Sequence, residues 1–315
     1  MTIKDIYNLA VKLGINADLR GRKEVQKVLG RAKAKYEKLA DEDKKEFDLE
    51  SLTNPFSDTR ILVASDKKIK KVVTGIDISP AEILMAKGLG ADLVIAHHPA
   101  GSALADLSEV MNLQAQLLAK YGLPINIAEG LMKERISEVA RGISAVNHYR
   151  SVDAAKLLGL GFMCSHTACD NLAASFLDKY LKKTKLETLG EIVAALKKIP
   201  EYAEAVLRKA GPKIFVGTPE ASAGKIVLTD ITGGTEGAVG IYEKMSQYGF
   251  GTIIAMHTDE ERRKEAAKHH INIVIAGHMS SDSLGMNLFL DQLEKAGIEI
   301  IACSGLIRVS RNRKK

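Results

Sequence analysis

The residues best suited to chemistry are His97 and His98, which stand side by side after a short apolar run. Leu93–Ala96 predicts a short buried strand, and Pro99 then turns the chain away from it. Neighbouring side chains of a strand point to opposite faces, so the two imidazoles converge only where the backbone bends. Neutral imidazole is a common ligand of divalent transition metals. The doublet therefore suggests a dinuclear metal centre; the alternative is one hydrogen-bonded core histidine beside a solvated one.

A second motif, His-x3-Asp, occurs twice after apolar runs that resemble strands. It comprises His166 with Asp170 and His278 with Asp282, and His257 ends a further apolar run. Ligands collect where the strands of open α/β sheets end. Imidazole with carboxylate suits zinc, iron, manganese or cobalt, and one carboxylate can bridge two ions. Each aspartate could instead cap the helix that follows it, but the repetition favours metal ligation.

A glycine-rich turn spans residues 232–237, after a predicted strand and before a predicted helix. Backbone N–H groups in such a turn can cradle an anion, which makes Gly233, Gly234 and Gly237 candidates for binding a substrate or cofactor. The alternative is a simple tight turn.

From residue 70 onward, β-branched runs alternate with helical periods, which is typical of an α/β fold. Strands are predicted at 72–76, 93–96, 125–128, 161–164, 214–216, 226–228, 253–255, 273–276 and 298–302. Helices are predicted at 80–88, 107–120, 153–158, 168–181, 188–196, 236–248, 259–269 and 284–295. The strand–helix–strand units leading to His97 and His257 echo each other, as do the two His-x3-Asp units. The body is therefore predicted to consist of two related α/β lobes.

The first 60 residues are predicted to form a separate helical extension. Thr2-x-x-Asp5 is typical of a capping box, and a second helix is expected over Lys23–Leu39. The predicted organisation is an extension over 1–60, a first lobe over 61–205 and a second lobe over 206–315, with the two lobes forming one metal-binding body.

Composition narrows the function classes. The net charge of +6 comes largely from the first 71 residues, from Lys182–Lys185 and from the tail Arg308–Lys315, which gives weak support for a nucleic-acid partner. Tryptophan is absent and aromatic residues make up 5%, so stacking platforms for single strands are not expected. No apolar run approaches the roughly 18 residues that span a bilayer. Three cysteines without paired spacing favour the cytoplasm.

The motifs together resemble the Nif-three-like dinuclear metal-centre family, often labelled homologues of type 2 GTP cyclohydrolase I. The resemblance rests on the His97 doublet with Pro99, on His166-Thr167-x-x-Asp170 and on Ala276-Gly277-His278 with Asp282, and it covers roughly residues 52–307. It implies a duplicated α/β fold, a hexameric ring of identical chains and two divalent metal ions, such as zinc, iron or manganese. The metal ligands that it implies are His97, His98, Asp170, His278 and Asp282. One departure is Asp282, which stands where the family usually has glutamate.

His166 and His257 are outside the ligand set that the resemblance implies, so we assign them catalytic proton transfer; the alternative is that each orients a ligand. The function expected is that of a metal-dependent hydrolase acting on a nucleotide or a related phosphorylated or cyclic-amide compound. The alternative is a non-catalytic metal-binding regulatory or scaffold ring, for which nucleic acid is a candidate partner.

Overall fold

A computed structural model describes residues 1–312 and confirms the predicted α/β class. The strands are β1 (Thr59–Val63), β2 (Lys71–Gly75), β3 (Leu93–Ala96), β4 (Gly161–Ser165), β5 (Lys213–Val216), β6 (Ile226–Asp230), β7 (Thr252–Ala255), β8 (Asn272–Ile275) and β9 (Glu299–Cys303). The helices are α1 (Ile3–Ala17), α2 (Arg22–Lys38), α3 (Asp41–Lys44), α4 (Pro80–Gly88), α5 (Gly101–Ala105), α6 (Leu107–Val110), α7 (Asn112–Lys120), α8 (Ile125–Ser144), α9 (Arg150–Leu158), α10 (Thr167–Lys182), α11 (Leu189–Leu196), α12 (Pro200–Leu207), α13 (Ile241–Gln247), α14 (Glu260–Lys268) and α15 (His278–Lys295).

Two sheets repeat one plan. The first has the order β1-β4-β3-β2-β9 and the second the order β5-β8-β7-β6. In each sheet the first strand is an antiparallel edge, and the strands that follow it are parallel. The order of four strands in the second sheet thus matches that of the first, which confirms the duplicated architecture.

The last strand returns to the first sheet. β9 pairs in parallel with β2, with Glu299 opposite Lys71 and Cys303 opposite Gly75. The second sheet and its helices are therefore inserted between β4 and β9. The boundary near residue 205 stays a prediction, but residues 299–303, which the sequence assigns to the second lobe, lie in the sheet of the first.

Helices α10 and α15 lie side by side between the two sheets, and α1 packs on α10. Two glycines permit this close packing. A Cβ atom on Gly14 of α1 would lie 2.7 Å from the Cα of Ala168, and one on Gly285 of α15 would lie 2.8 Å from the carbonyl carbon of Cys169. Ile6 of α1 is completely buried in the same cluster as strand residues of the first sheet. The first helix of the predicted extension is therefore part of the main core.

Four predicted elements differ from the structure. The strand predicted over 125–128 is wrong, because Ile-Asn-Ile-Ala alternates like a strand but starts helix α8 directly after Pro124. The helix predicted over 107–120 is interrupted at Met111. The helix expected from residue 236 begins at Ile241, after a run with four glycines, and the helix expected from residue 284 already begins at His278.

Both ends of the described chain are tied to the body. The capping box of Thr2 and Asp5 forms as predicted. In the basic tail, Arg308 pairs with Asp291, and Arg311 pairs with the fully buried Glu201. These two cations are therefore neutralised within the chain; residues 313–315 of the predicted tail lie outside the described residues. None of the helices in residues 1–312 combines the length and apolar character that a membrane crossing requires.

Candidate metal centre

The predicted ligands come from one strand end and two helix starts. His97 and His98 follow β3 directly, and their backbone N–H groups donate to the carbonyls of Gly75 and Ile76. His166 lies between β4 and α10, and His278 is the first residue of α15. Gly277 precedes it with φ of 114°, a conformation that suits glycine, so the chain can turn sharply from β8 into the helix.

The other four residues implied as ligands surround Asp282. The Nε2 atom of His97 lies 3.5 Å from Asp282 Oδ1 and 3.3 Å from Asp170 Oδ1. The other carboxylate oxygen of Asp282 lies 3.5 Å from the Nε2 atoms of both His98 and His278. One carboxylate therefore faces histidines on both of its oxygens, which is the arrangement of a group shared between two sites.

The aspartates are not helix caps. The N-cap positions of α10 and α15 belong to His166 and Gly277, while Asp170 and Asp282 lie within their helices. Both aspartates are buried, with exposures of 3% and 1%. The alternative of N-capping is therefore wrong for both.

Three histidines of the donor cluster are held through their Nδ1 atoms. This leaves Nε2 of each ring free to bind, because a hydrogen bond at one ring nitrogen fixes the orientation and the tautomer. The Nδ1 partners are the Ser165 carbonyl for His97 at 3.1 Å, Asp77 for His98 at 2.7 Å and Asp58 for His166 at 2.8 Å.

The chemistry of this cluster fits a cation. His97 Nε2, Asp170 Oδ1 and both carboxylate oxygens of Asp282 are buried without a hydrogen-bond partner among the described residues. Leaving such atoms unpaired costs about 1–3 kcal/mol each, and more for charged groups. Three overlapping sets of donors lie within 4.8 Å of one another, namely His97 with Asp170 and Asp282, His98 with His278 and Asp282, and His97 with His98 and His166. These residues can hold a metal ion.

The charges of the cluster are strongly coupled. Burial disfavours the protonated form of His97, but the carboxylates of Asp282 and Asp170 outweigh it and raise the pKa of His97 well above its usual value. His98 behaves similarly, because the carboxylates of Asp282 and Asp77 raise its pKa against the effect of burial. Burial and the neighbouring histidines instead lower the pKa of His278 to about 4. Burial alone would raise the pKa of Asp282, but His97 and the other histidines lower it.

His257 lies on the far side of His278, with the two ring centres 4.5 Å apart. Its Nδ1 atom bonds Glu236 Oε1 at 2.5 Å, and the pKa of His257 is raised because this carboxylate outweighs burial. Asp230 lies at the end of β6, where burial and the Glu236 charge raise its pKa to about 6. His257 therefore stands beside the cluster and is not part of its donor sets among residues 1–312.

The glycine-rich turn borders the same cleft. That cleft is lined by side chains from both lobes, among them His166, Asp170, Asp230, Thr232, Glu236, Met256, His257 and His278. Gly233 and Gly234 both have φ of 93°, and a side chain would press on α7 at Gly233 and on α6 at Gly234. The carbonyl oxygens of Thr235 and Gly237 accept hydrogen bonds from Gln114 and Arg262. Anion binding by the N–H groups of this turn stays a prediction.

The comparisons with known proteins give one informative relative. No family model and no curated protein matches the sequence. Among solved structures, a NIF3 superfamily protein from Sphaerobacter thermophilus is 28% identical, with a TM-score of 0.74 over 79% of this chain and 92% of its own. The chain shares the fold of this NIF3 superfamily protein, which supports a NIF3-like assignment. Reduced HcgD from Methanocaldococcus jannaschii, at 15% identity and a TM-score of 0.50 over 83% of this chain and 94% of its own, shares the fold.

Sequence reasoning on this NIF3-like chain misses the carboxylates that hold the histidines. The sequence places Asp58 in a turn, and its partner His166 is 108 residues further along. Asp77 and Asp230 lie at or just after the ends of β2 and β6, so the rule that ligands collect at strand ends could have found them. Glu236 lies in the glycine-rich turn, for which the sequence predicts binding by backbone N–H groups and not by a side chain.

Proposed function

We propose that the chain is a metal-dependent hydrolase with two divalent ions in the cluster. The observation that carries the proposal is the buried Asp282 carboxylate, which has His97 on one oxygen, His98 and His278 on the other, and no hydrogen-bond partner on either among the described residues. His97 and Asp170 would hold one ion, His98 and His278 the other, and Asp282 would be shared. Ions in such sites polarise a carbonyl or phosphoryl oxygen and acidify water.

The remaining polar side chains of the cleft would bind substrate and move protons. Glu236 holds Nδ1 of His257, so Nε2 of that ring is the atom that can exchange a proton with the substrate. His166 carries the same proposed role from the sequence, with Asp58 on its Nδ1 atom.

For the substrate we propose a nucleotide or a related phosphorylated or cyclic-amide compound. The support is the cleft lining: the part-exposed imidazoles of His257 and His278 suit a flat heterocycle, while Gly234 and Thr235 offer backbone groups. A cyclic amide places a polarised carbonyl next to a ring, which this combination of surfaces can accommodate.

The test combines metal analysis with a substrate panel. Protein purified without chelator and reconstituted with zinc, iron or manganese is assayed on nucleotides and cyclic amides, beside His97→Ala, Asp282→Ala and the control His148→Gln. His148 lies outside all donor sets of the described residues and bonds a backbone carbonyl. We expect both site variants to lose metal and turnover. Full metal content in the wild type without turnover on any compound refutes the hydrolase.

A second candidate function is a metal-binding scaffold without catalysis. The donors come from the residues after β3 and from α10 and α15, so bound metal would hold elements of both lobes together. Chelation should then lower the melting temperature by several degrees. The hexameric ring, the cytoplasmic location and a nucleic-acid partner remain proposals; light scattering after gel filtration tests the ring, and steep salt dependence of binding tests the nucleic acid.

A further inference from the structure

His166 is placed like a ligand. Its donor nitrogen lies within 4.8 Å of those of His97 and His98. The centre of its ring is 4.9 Å from that of His97 and 5.7 Å from that of His98, and the residue is 7% exposed. Since Asp58 occupies Nδ1, the free atom is Nε2, which lies 3.8 Å from Asp170 Oδ2. The imidazole therefore presents its free nitrogen to the donor cluster.

Asp58 fixes both His166 and the helix that follows. Its carboxylate is fully buried and accepts hydrogen bonds from His166 Nδ1 at 2.8 Å, from the hydroxyl of Thr167 at 2.6 Å and from the Thr167 N–H at 3.3 Å. Thr167 is the first residue of α10, the helix that carries Asp170. A carboxylate on the second nitrogen of an imidazole is the usual support of a metal ligand, since it sets the tautomer and increases the basicity of Nε2.

We infer that His166 is a metal ligand at the ion held by His97, and that Asp58 is its positioning residue. The inference rests on the proposed metal site and replaces the proton-transfer role predicted for His166. With it the cluster offers four imidazoles and two carboxylates, from His97, His98, His166, His278, Asp170 and Asp282. That nitrogen-rich set selects a borderline transition-metal dication, such as zinc, cobalt or iron, over magnesium or calcium.

His257 provides the matched control. It too has a carboxylate on Nδ1 and lies in the same cleft, yet it joins none of the donor sets found in residues 1–312. If orientation by a carboxylate alone made a ligand, His166 and His257 would behave alike. Only His166 has a ring nitrogen within reach of the donor cluster, so substitutions of the two histidines should affect metal binding differently.

The experiment is a Co²⁺ titration of the full-length, metal-free protein, followed by visible absorption. We expect His166→Gln to weaken Co²⁺ binding at least about 10-fold and to change the shape of the absorption bands. Asp58→Asn should weaken binding by about 10–100-fold, the range for loss of such a partner. His257→Gln should keep both affinity and spectrum. A folded His166→Gln protein with wild-type affinity and spectrum overturns the inference and returns His166 to proton transfer.

Two further measurements keep the test decisive. Circular dichroism reports whether each variant is folded. If His166→Gln does not fold, ¹⁵N-histidine NMR of the zinc-loaded wild type shows whether the ring coupled to Asp58 is metallated at Nε2; a protonated or free Nε2 overturns the inference. Failure of the proposed function is distinct: the wild type then binds no Co²⁺, or binds it without turning over any substrate.

Discussion

Replacing Gly285 by alanine tests whether the metal cluster depends on close packing of α10 against α15. A Cβ atom there would lie 2.8 Å from the carbonyl carbon of Cys169 and even closer to its oxygen. Backbone atoms cannot rotate away, so the helices must separate by at least roughly half an ångström, and in a close-packed core such a shift is felt. Overpacking costs about 1–3 kcal/mol, and a carbonyl contact belongs at the upper end. The better helix propensity of alanine offsets about 1 kcal/mol, which leaves a net loss of about 2 kcal/mol.

The assay is urea unfolding followed by circular dichroism, together with Co²⁺ titration. We expect Gly285→Ala to lose about 2 kcal/mol of unfolding free energy and roughly 10-fold or more in metal affinity, because α10 and α15 carry the carboxylates that face His97. Gly30→Ala in α2 is the control: nothing lies within 4 Å of the methyl group that alanine would add, so this variant should gain about 0.5–1 kcal/mol. Equal gains in both variants would refute the reasoning.

Three further predictions concern charge and hydrogen bonding. Asp230→Asn should stabilise the metal-free protein by at most about 3 kcal/mol above pH 7 and have no effect below pH 4. The reason is that the folded pKa of Asp230 is raised to about 6, so the free-energy cost of burying its charge grows as pH rises from 4 to 6. Thermal melts across that range check the prediction, and a gain in stability that persists at pH 3.5 would contradict it. Arg311→Met should lower the unfolding free energy by about 2–3 kcal/mol, since Glu201 is fully buried and would keep only Asn287 as a partner among the described residues. Adding Glu201→Gln to this variant should recover most of the lost stability in urea unfolding. Tyr202→Phe should cost only about 1 kcal/mol, because Ser281 keeps its bond to the Gly277 carbonyl; a loss above about 3 kcal/mol in the same urea assay would show that the hydroxyl does more than bond Ser281.

Much of the fold and the donor cluster follows from local patterns in the sequence. The runs before His97 and His278 are short, β-branched and followed by helix signals, so strand ends and motif repetition predict that these side chains lie close together, as they do. Where two local patterns compete, the sequence is ambiguous: residues 125–128 alternate like a strand, but the position after Pro124 decides for a helix.

The remaining features depend on contacts between distant residues. Asp58 supports His166 only because β1 pairs antiparallel with β4, and β1 is not among the strands predicted from the sequence. In the sequence, the arginines of the tail resemble a free basic segment. In the structure they form ion pairs with Asp291 and Glu201. No spacing rule relates such residues, because tertiary packing alone brings them together.

The pairing of β9 with β2 has a consequence for biosynthesis. β9 is made after every other strand of the first sheet, and α15, which carries His278 and Asp282, comes shortly before it. Domains generally begin to fold while the chain is still growing. Here the first sheet keeps an open edge, and the set of donors stays incomplete, until α15 and β9 have been made. The proposed ions would therefore bind only after the second lobe has been synthesised.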